Sequence, residues 1–429
     1  MFGGGGAKER TLDILEEVFG EVANLDFAVQ LWDGTLWPEE PEESPEFTLV
    51  LNHPGTLREM LLPLTELNLG EAYVYGDFEV KGDLVAAFPL VETFESLDLG
   101  LGGKLGLAWK LRSLPKEGSS HDGRRAADVS GDKHSRKRDS EAISYHYDVS
   151  NDFYSLWLDR RMVYSSAYFK REDQDIHIAQ EQKLDHICRK LRLAPGERLL
   201  DIGCGWGGLV MYAAEHYGVE ALGITLSERQ VALTQRRIEE AGLEERCSVV
   251  YQDYRDVAPD EPFDKLVSVG MFEHVGLEKM RVYYKDAWEI LREGGLFLNH
   301  AIARPGWLPK ADDPDTFSNR YVFPDGELTP ISHSLDVAET TGFEVRDVES
   351  LREHYALTLR RWVRRLEERQ EEALEEVDEV TYRIWRLFMS GSARGFETGR
   401  LNVYQALLAK AGPDGESGLP LTRADLYRP

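Results

Sequence analysis

The chain has few cysteines and far fewer basic than acidic residues. Its 429 residues include three cysteines, Cys188, Cys204 and Cys247, whose spacing matches neither a disulfide framework nor a zinc site. We therefore expect a reducing compartment and no bound metal. The formal net charge of -27 argues against non-specific nucleic-acid binding. Contact with an anionic membrane would require a local basic or apolar patch.

The sequence also lacks the segments that direct a chain into or across a membrane. Residues 1–10 are rich in glycine and contain no apolar core, so they do not resemble a signal peptide. No stretch approaches the ~20 apolar residues that a membrane span needs. These features predict a cytoplasmic protein, and the length allows two or three domains.

The composition divides the chain into three parts. Residues 1–114 predict a small α+β domain without a catalytic cluster, whose role is structural or binding. Within it, the basic amphipathic stretch 99–114 is either a helix packed on the core or a contact for a membrane surface. Residues 115–141 are polar and contain Gly and Ser, which predicts a flexible linker with a solvated His134. The remaining part, 142–429, carries the residues with candidate chemistry.

Strands and helices alternate from residue 178 onward. Strands are predicted at 198–202, 219–224, 247–252, 264–270 and 295–302, with helices at 178–193, 208–216, 227–241 and 278–292. This alternation predicts a parallel sheet covered by helices on both faces. Ligands of such sheets bind outside the carboxyl ends of the strands, near the first strand-to-helix turn. The tail adds a helix at 331–341, a strand at 343–349, helices over 352–390 and a strand at 401–408.

The first strand-to-helix turn, residues 199–208, is the candidate ligand site. Gly203, Gly205 and Gly208 match the glycine spacing of a dinucleotide site, but the second strand ends without the acid that such sites place on the ribose. No Gly-Lys-Ser/Thr follows, which excludes a P-loop. Asp201 precedes the glycines and would repel a pyrophosphate. It suits a ligand with a cationic end, such as S-adenosylmethionine (SAM).

Several motifs resemble one enzyme family. They are Tyr145 to Tyr154, Tyr164 to Phe169, residues 199–208, Gly223 to Gln230, Gln252 to Asp256, Phe263 to Gly276 and Asn319 to Gly326. Together they resemble cyclopropane-fatty-acid-phospholipid synthases, relatives of the mycolic acid cyclopropane synthases, over about residues 143–410. The run Met271-Phe272-Glu273-His274-Val275-Gly276 is much more specific than the glycine turn.

The resemblance implies a fold, a reaction and a location. The fold is α/β: a class I SAM-dependent methyltransferase (Rossmann-like) domain over 142–429 with a helical lipid-binding cap, plus a small N-terminal α+β accessory domain that presents lipid. The alkene of an unsaturated phospholipid acyl chain attacks the methyl group of SAM, and bound bicarbonate removes a proton from the resulting carbocation as the ring closes. The resemblance also implies a peripheral position at the inner membrane leaflet and a possible homodimer.

The resemblance assigns roles to individual positions. Its catalytic set, around bicarbonate, is Glu273, His300, Tyr355, Ser166 and Ile302. Its donor-binding set is Tyr164, Ser165, Asp201, Gly203, Gly205, Thr225, Gln230 and Asp253. In the second set, Thr225 and Gln230 take the ribose and Asp253 takes the adenine amino group. Ser166 departs from the family, whose members often carry Cys there.

Three other functions remain open at this point. A related enzyme would add a methyl or methylene branch to the same double bond without closing a ring. A small-molecule methyltransferase would share the donor site, but the N-terminal domain and lipid-facing tail argue against it. A non-enzymatic lipid-binding protein would need neither Asp201 nor the Glu273-His274 turn.

Overall fold

The computed structural model describes residues 4–20, 26–39, 45–96, 101–116, 122–127, 133–147, 149–308 and 316–427. The chain forms two compact units. The first comprises Met1–Ala126, Asp313–Val322 and Val377–Arg394, and the second comprises Ala127–Asp312, Phe323–Glu376 and Gly395–Pro429. None of the described helices is long and apolar enough to span a bilayer.

The first unit is a small α+β structure around a four-stranded sheet. Its N-terminal elements are α1 (Gly4–Phe19), β1 (Phe27–Gln30), β2 (Leu36–Trp37), β3 (Phe47–Leu51), α2 (Thr56–Leu61), α3 (Glu66–Val74), β4 (Phe78–Gly82), α4 (Leu84–Ser96) and α5 (Leu101–Arg112). The sheet order is β2-β1-β3-β4, with β1 parallel to β3. Alternate residues of β3 are buried, as expected for a sheet with one face on the core.

The second unit carries the larger sheet. Its elements before the tail are α6 (Arg136–Tyr147), α7 (Asn151–Trp157), α8 (Ile176–Leu191), β5 (Arg198–Ile202), α9 (Gly208–Tyr217), β6 (Glu220–Thr225), α10 (Glu228–Ala241), β7 (Cys247–Tyr251), β8 (Phe263–Val269), α11 (Met280–Ile290) and β9 (Leu291–Ala303). Short 3-10 turns cover Tyr254–Asp256 and Phe272–His274.

The remaining elements complete both units. They are α12 (Phe317–Tyr321), α13 (Ile331–Thr341), β10 (Glu344–Ser350), α14 (Arg352–Glu368), α15 (Gln370–Glu376), α16 (Glu379–Glu397), β11 (Asn402–Ala409) and a 3-10 turn at Ala424–Tyr427. Helix α12 and most of α16 belong to the first unit.

The larger sheet has the strand order β10-β11-β9-β8-β5-β6-β7. The five strands from β9 to β7 are parallel, and β11 and β10 add to the edge in antiparallel orientation. The prediction of an α/β, Rossmann-like fold is confirmed. The central strands are almost wholly buried, since they read as continuous apolar runs that need cover on both faces.

The predicted linker, 115–141, differs from the structure at its carboxyl end. Helix α6 begins at Arg136, and Arg138 pairs with Asp325 across 187 positions of sequence. His134 is 5% exposed and is not solvated as predicted. These distant partners stabilise a segment whose own composition lacks the apolar residues to fold. The division of the chain into domains 1–114, 115–141 and 142–429 stays a prediction. In the structure, residues 313–322 and 377–394 belong to the same compact unit as residues 1–126.

Candidate functional site

A cavity lies at the carboxyl ends of β5, β6 and β8, where a doubly wound sheet places its ligand. All eight predicted donor-binding residues line it: Tyr164, Ser165, Asp201, Gly203, Gly205, Thr225, Gln230 and Asp253. Other lining residues include Asp139, Lys183, Trp206, Met271 and His274. The structure therefore brings the donor set together, while the role of each member stays a prediction.

The glycine turn exposes main-chain atoms to the cavity, because its glycines have no side chains. Gly203 has a φ of +83°, and a Cβ there would lie 2.7 Å from Cβ of Met271. Gly205 has a φ of +55°, and no atom lies within 4 Å of the place its Cβ would take. Side chains at either position would be strained, and glycine leaves the backbone open to close approach by a ligand.

Asp201, at the carboxyl end of the central strand β5, is a buried acid. It is 2% exposed, and its Oδ1 atom is buried without a hydrogen-bond partner. Burial raises the pKa of Asp201 to about 7, and the positive charge of Lys183 acts in the opposite direction. An unsatisfied carboxylate oxygen on a ligand cavity fits the cationic end of SAM.

Lys183 is the main site residue that the sequence analysis missed. Its side chain is fully buried on α8, and Nζ donates to Ser165 Oγ at 3.0 Å. Burial lowers its pKa to about 8, while the carboxylates of Asp159 and Asp201 act to raise it. The sequence held one clue, because Lys183 falls on the same helical stripe as the buried Ala179, Leu184 and Ile187.

Thr225 and Gln230 are joined to each other at the end of β6. The Thr225 hydroxyl donates to Gln230 Oε1 at 2.7 Å, and both residues are buried. This bond directs the amide of Gln230 and leaves its Nε2 hydrogens for other acceptors. The pair can therefore offer donors to ribose hydroxyls, as predicted for a site without the usual acid.

Asp253 is held by a neighbour that the prediction did not include. Arg255 donates from Nε to Oδ1 at 2.9 Å and from Nη2 to Oδ2 at 2.6 Å. The same guanidinium reaches Asp139 Oδ2 at 3.1 Å, which ties α6 to the cavity rim. Oδ1 also accepts from the backbone N–H of Arg255 at 2.9 Å, so only Oδ2 keeps a second lone pair for an adenine amino group.

Three of the predicted catalytic residues lie together beside the cavity. Glu273 Oε1 accepts a hydrogen bond from the backbone N–H of Ile302 at 2.7 Å, and His300 precedes Ile302 by two positions on β9. Residues two apart on a strand share a face. Glu273 Oε2 and His300 Nε2 are both buried without a hydrogen-bond partner. These two atoms are free to bind an oxyacid.

Burial perturbs the titration of both residues. It raises the pKa of Glu273 to about 7, against the backbone hydrogen bond from Ile302. It holds the pKa of His300 well below its ordinary value, and the charges of Lys183 and Lys190 act in the same direction. His300 is therefore a neutral imidazole at physiological pH. Perturbed groups that meet at a cavity are typical of catalytic sites.

The other two predicted catalytic residues have contacts of their own. Ser166 is fully buried, and its Oγ donates to the carbonyl of Ala167 at 3.1 Å. Tyr355, on α14, is 9% exposed and packs against Phe396 with ring centroids 4.6 Å apart. Trp206 lines the cavity, and its indole N–H donates to Asn151 Oδ1 at 2.8 Å.

Comparison with known proteins identifies relatives for both parts of the chain. Residues 134–406 match the family described as mycolic acid cyclopropane synthetase, and residues 14–91 match one described as a domain of unknown function. A Pseudomonas putida protein named "probable fatty acid methyltransferase" is 42% identical over 94% of this chain and 97% of its own length.

Solved structures agree with the sequence relatives. The cyclopropane synthase MmaA2 from Mycobacterium tuberculosis superposes with a TM-score of 0.60 at 34% identity, over 63% of this chain and 97% of that one. The mycolic acid cyclopropane synthase CmaA1, in complex with SAH and CTAB, gives a TM-score of 0.59 at 33% identity over the same shares.

The Asp201 carboxylate leads to a prediction about donor binding. Because its pKa is about 7, we expect SAM to bind more tightly as the pH rises from about 6 to about 7.5. Asp201→Asn removes this pH dependence and weakens SAM binding by about tenfold or more at the upper pH. Isothermal titration calorimetry measures both effects. Asp336→Asn, at an exposed position on α13, is the matched control and leaves the affinity unchanged.

Proposed function

Because the chain belongs to the mycolic acid cyclopropane synthetase family of SAM-dependent methyltransferases, we propose that it converts cis double bonds of phospholipid acyl chains into cyclopropane rings. The observation that carries the proposal is that Glu273 Oε2 and His300 Nε2, on segments joined by the hydrogen bond between Glu273 and Ile302, are both buried without a hydrogen-bond partner. An alkene-derived cation needs a base to remove its proton, and these two atoms can hold one.

The donor cavity holds the residues that would position SAM. SAM supplies an electrophilic methyl group. Asp201 binds its cationic end, and Gly203 and Gly205 let it approach the backbone. An alkene is a weak nucleophile, so precise positioning and exclusion of water supply much of the rate.

The aromatic side chains beside the cavity stabilise positive charge. The Tyr164 ring lies 5.5 Å from Trp157 and 5.4 Å from Trp362, between ring centroids. Trp157 and Trp362 are fully buried. Ring faces attract a cation most strongly where water is excluded. The carbocation left by methyl transfer is therefore stabilised by neighbouring π faces.

Glu273 and His300 would hold the base that removes the proton from the carbocation. Bicarbonate, when bound, would supply a base with one hydroxyl and two oxygens that share a single negative charge. Glu273 Oε2 would accept a hydrogen bond from the hydroxyl, and His300 Nε2–H would donate one to an oxygen. The backbone bond from Ile302 holds the Glu273 carboxylate in place. Loss of one proton from the added carbon then closes the ring.

A second product has a specific observation in its favour. The Pseudomonas putida relative, which matches nearly the whole chain, is named for fatty acid methylation. Loss of the proton on the methylated carbon of the same cation gives a methyl branch on a retained double bond, and a 1,2-hydride shift followed by loss of a methyl proton gives a methylene branch. Both candidates therefore share every residue described above and differ in the fate of one intermediate.

The product assay separates these candidates. Purified protein is incubated with SAM and vesicles of dioleoyl phosphatidylglycerol, and in parallel with free oleate. We expect a gain of one CH2 per modified chain by mass spectrometry, cyclopropane protons by NMR, and turnover on the phospholipid. A CH2 gain without ring protons would support branching, and modification of oleate alone would contradict the phospholipid substrate. No modification by protein that binds SAM would contradict both products.

Glu273 gives a prediction about turnover. We expect Glu273→Gln to lower kcat by about 100-fold or more, while SAM affinity stays unchanged because Glu273 lies outside the donor set. Wild-type activity rises with pH through about 7, the pKa at which Glu273 ionises. Glu278→Gln, an exposed neighbour, is the control and keeps full activity. Equal activity of the Glu273 variant would remove this residue from the mechanism.

A membrane substrate requires a docking surface, and α5 offers one. Leu105 and Trp109, one helical turn apart, are 70% and 72% exposed, while Leu111 is buried. The apolar residues of this helix therefore divide between two faces, where the sequence suggested one. Tryptophan and leucine on a helix surface favour the bilayer interface. In this proposal the protein is cytoplasmic and binds the inner leaflet peripherally.

The docking surface is tested with vesicles. The double variant Leu105→Ser/Trp109→Ser should lose binding to vesicles of phosphatidylglycerol and phosphatidylethanolamine by about tenfold or more, because two large apolar side chains no longer insert. Co-sedimentation measures it. Lys110 is already paired with Glu17 at 2.5 Å, so Lys110→Gln should have a smaller effect. The control Trp307→Ser removes a tryptophan that is 74% exposed. Loss of binding in this control alone would contradict the assignment to α5.

A further inference from the structure

A row of polar side chains crosses three strands of the large sheet and ends at His300. Glu349 on β10 lies directly opposite Gln405 on β11, and Gln405 lies directly opposite His300 on β9. Directly opposite residues project from the same face of a sheet. Gln405 is fully buried and His300 is 2% exposed, while Glu349 on the edge strand is partly exposed.

The contact within this row determines which nitrogen of His300 carries the proton. Gln405 Nε2 lies 3.2 Å from His300 Nδ1. With the Gln405 amide in this orientation, its nitrogen donates and Nδ1 accepts. A neutral imidazole has one N–H, which is then on Nε2. Nε2 is the His300 atom that is buried without a partner.

Glu349 does not compete for the Gln405 amide, because its charge is already paired. Its Oε2 lies 2.7 Å from His186 Nε2 and 2.6 Å from Lys190 Nζ, both on α8. Lys190 is fully buried and also lies 3.5 Å from Asp347. These partners anchor the far end of the row.

We propose that Gln405 is a positioning residue that keeps the proton of His300 on Nε2, so that His300 donates a hydrogen bond to an anionic oxygen in the reaction pocket. The inference rests on the proposed function for the role of that oxygen, but the tautomer itself does not. The opposite tautomer would present a bare Nε2 lone pair, which would repel an anion beside the Glu273 carboxylate.

The tautomer is measured directly by nitrogen NMR of full-length protein labelled with 15N-histidine, with the His300 signals assigned from His300→Gln. We expect the wild-type proton on Nε2. Gln405→Glu replaces a donor with a carboxylate that accepts, and we expect it to move the proton to Nδ1. Gln405→Met, of similar shape and without a donor, should leave a mixture of tautomers. A wild-type proton on Nδ1, or a tautomer that Gln405→Glu does not change, would overturn the proposal.

Kinetics connect the tautomer to turnover. Gln405→Glu should lower kcat on the order of 10- to 100-fold, as for other residues that orient a functional histidine, with SAM affinity within about twofold as the check on folding. Gln370→Glu, at an exposed site on α15, is the control. A shifted tautomer with unchanged kcat would overturn the catalytic part of the proposal. If wild-type protein shows the Nε2 proton but modifies no lipid, the proposed function fails and the assignment of Gln405 stands.

Discussion

The burial of charge at the end of the central strand is the constraint on which the site depends. Asp201 lies within the sheet where water cannot solvate its carboxylate, and its pKa rises as a result. The folded protein therefore holds this proton more tightly than the unfolded chain, and its stability falls as the pH rises from the ordinary pKa of 3.8 toward about 7. Lys183 offsets part of this cost from α8. A bound cationic ligand would offset the remaining free-energy cost of burying this carboxylate.

Burial of titratable groups also gives the site two regions of different chemistry. The region at the ends of β5 and β6 pairs a buried acid with glycine backbone, which suits a positively charged donor. The region beside β9 holds a neutral histidine and an acid of raised pKa, which suits an oxyacid and a proton. In the proposed reaction, the carbocation would form between these two regions. In this proposal, the product depends on which proton of the carbocation the base removes.

Much of the second unit could be predicted because its strands are short, apolar and bounded by turns. The strand predicted at 198–202 matches β5, and the one predicted at 401–408 differs from β11 by one residue at each end. Lys183 could not be assigned, because a lysine on an apolar stripe is recognised only when its buried partners are known. The helix that begins at Arg136 was missed because its stabilising partner, Asp325, lies far along the chain.

The sequence alone determined the order of strands and helices, the glycine turn and the acid before it, because these follow from local spacing and residue chemistry. It also placed Glu273 just after the fourth strand and His300 at the end of the fifth. Only the tertiary structure decided that Gln405 contacts His300 across 105 positions, and that Leu105 and Trp109 face outward while Leu111 is buried. Strand register and helix rotation arise from packing between distant segments, which no local pattern encodes.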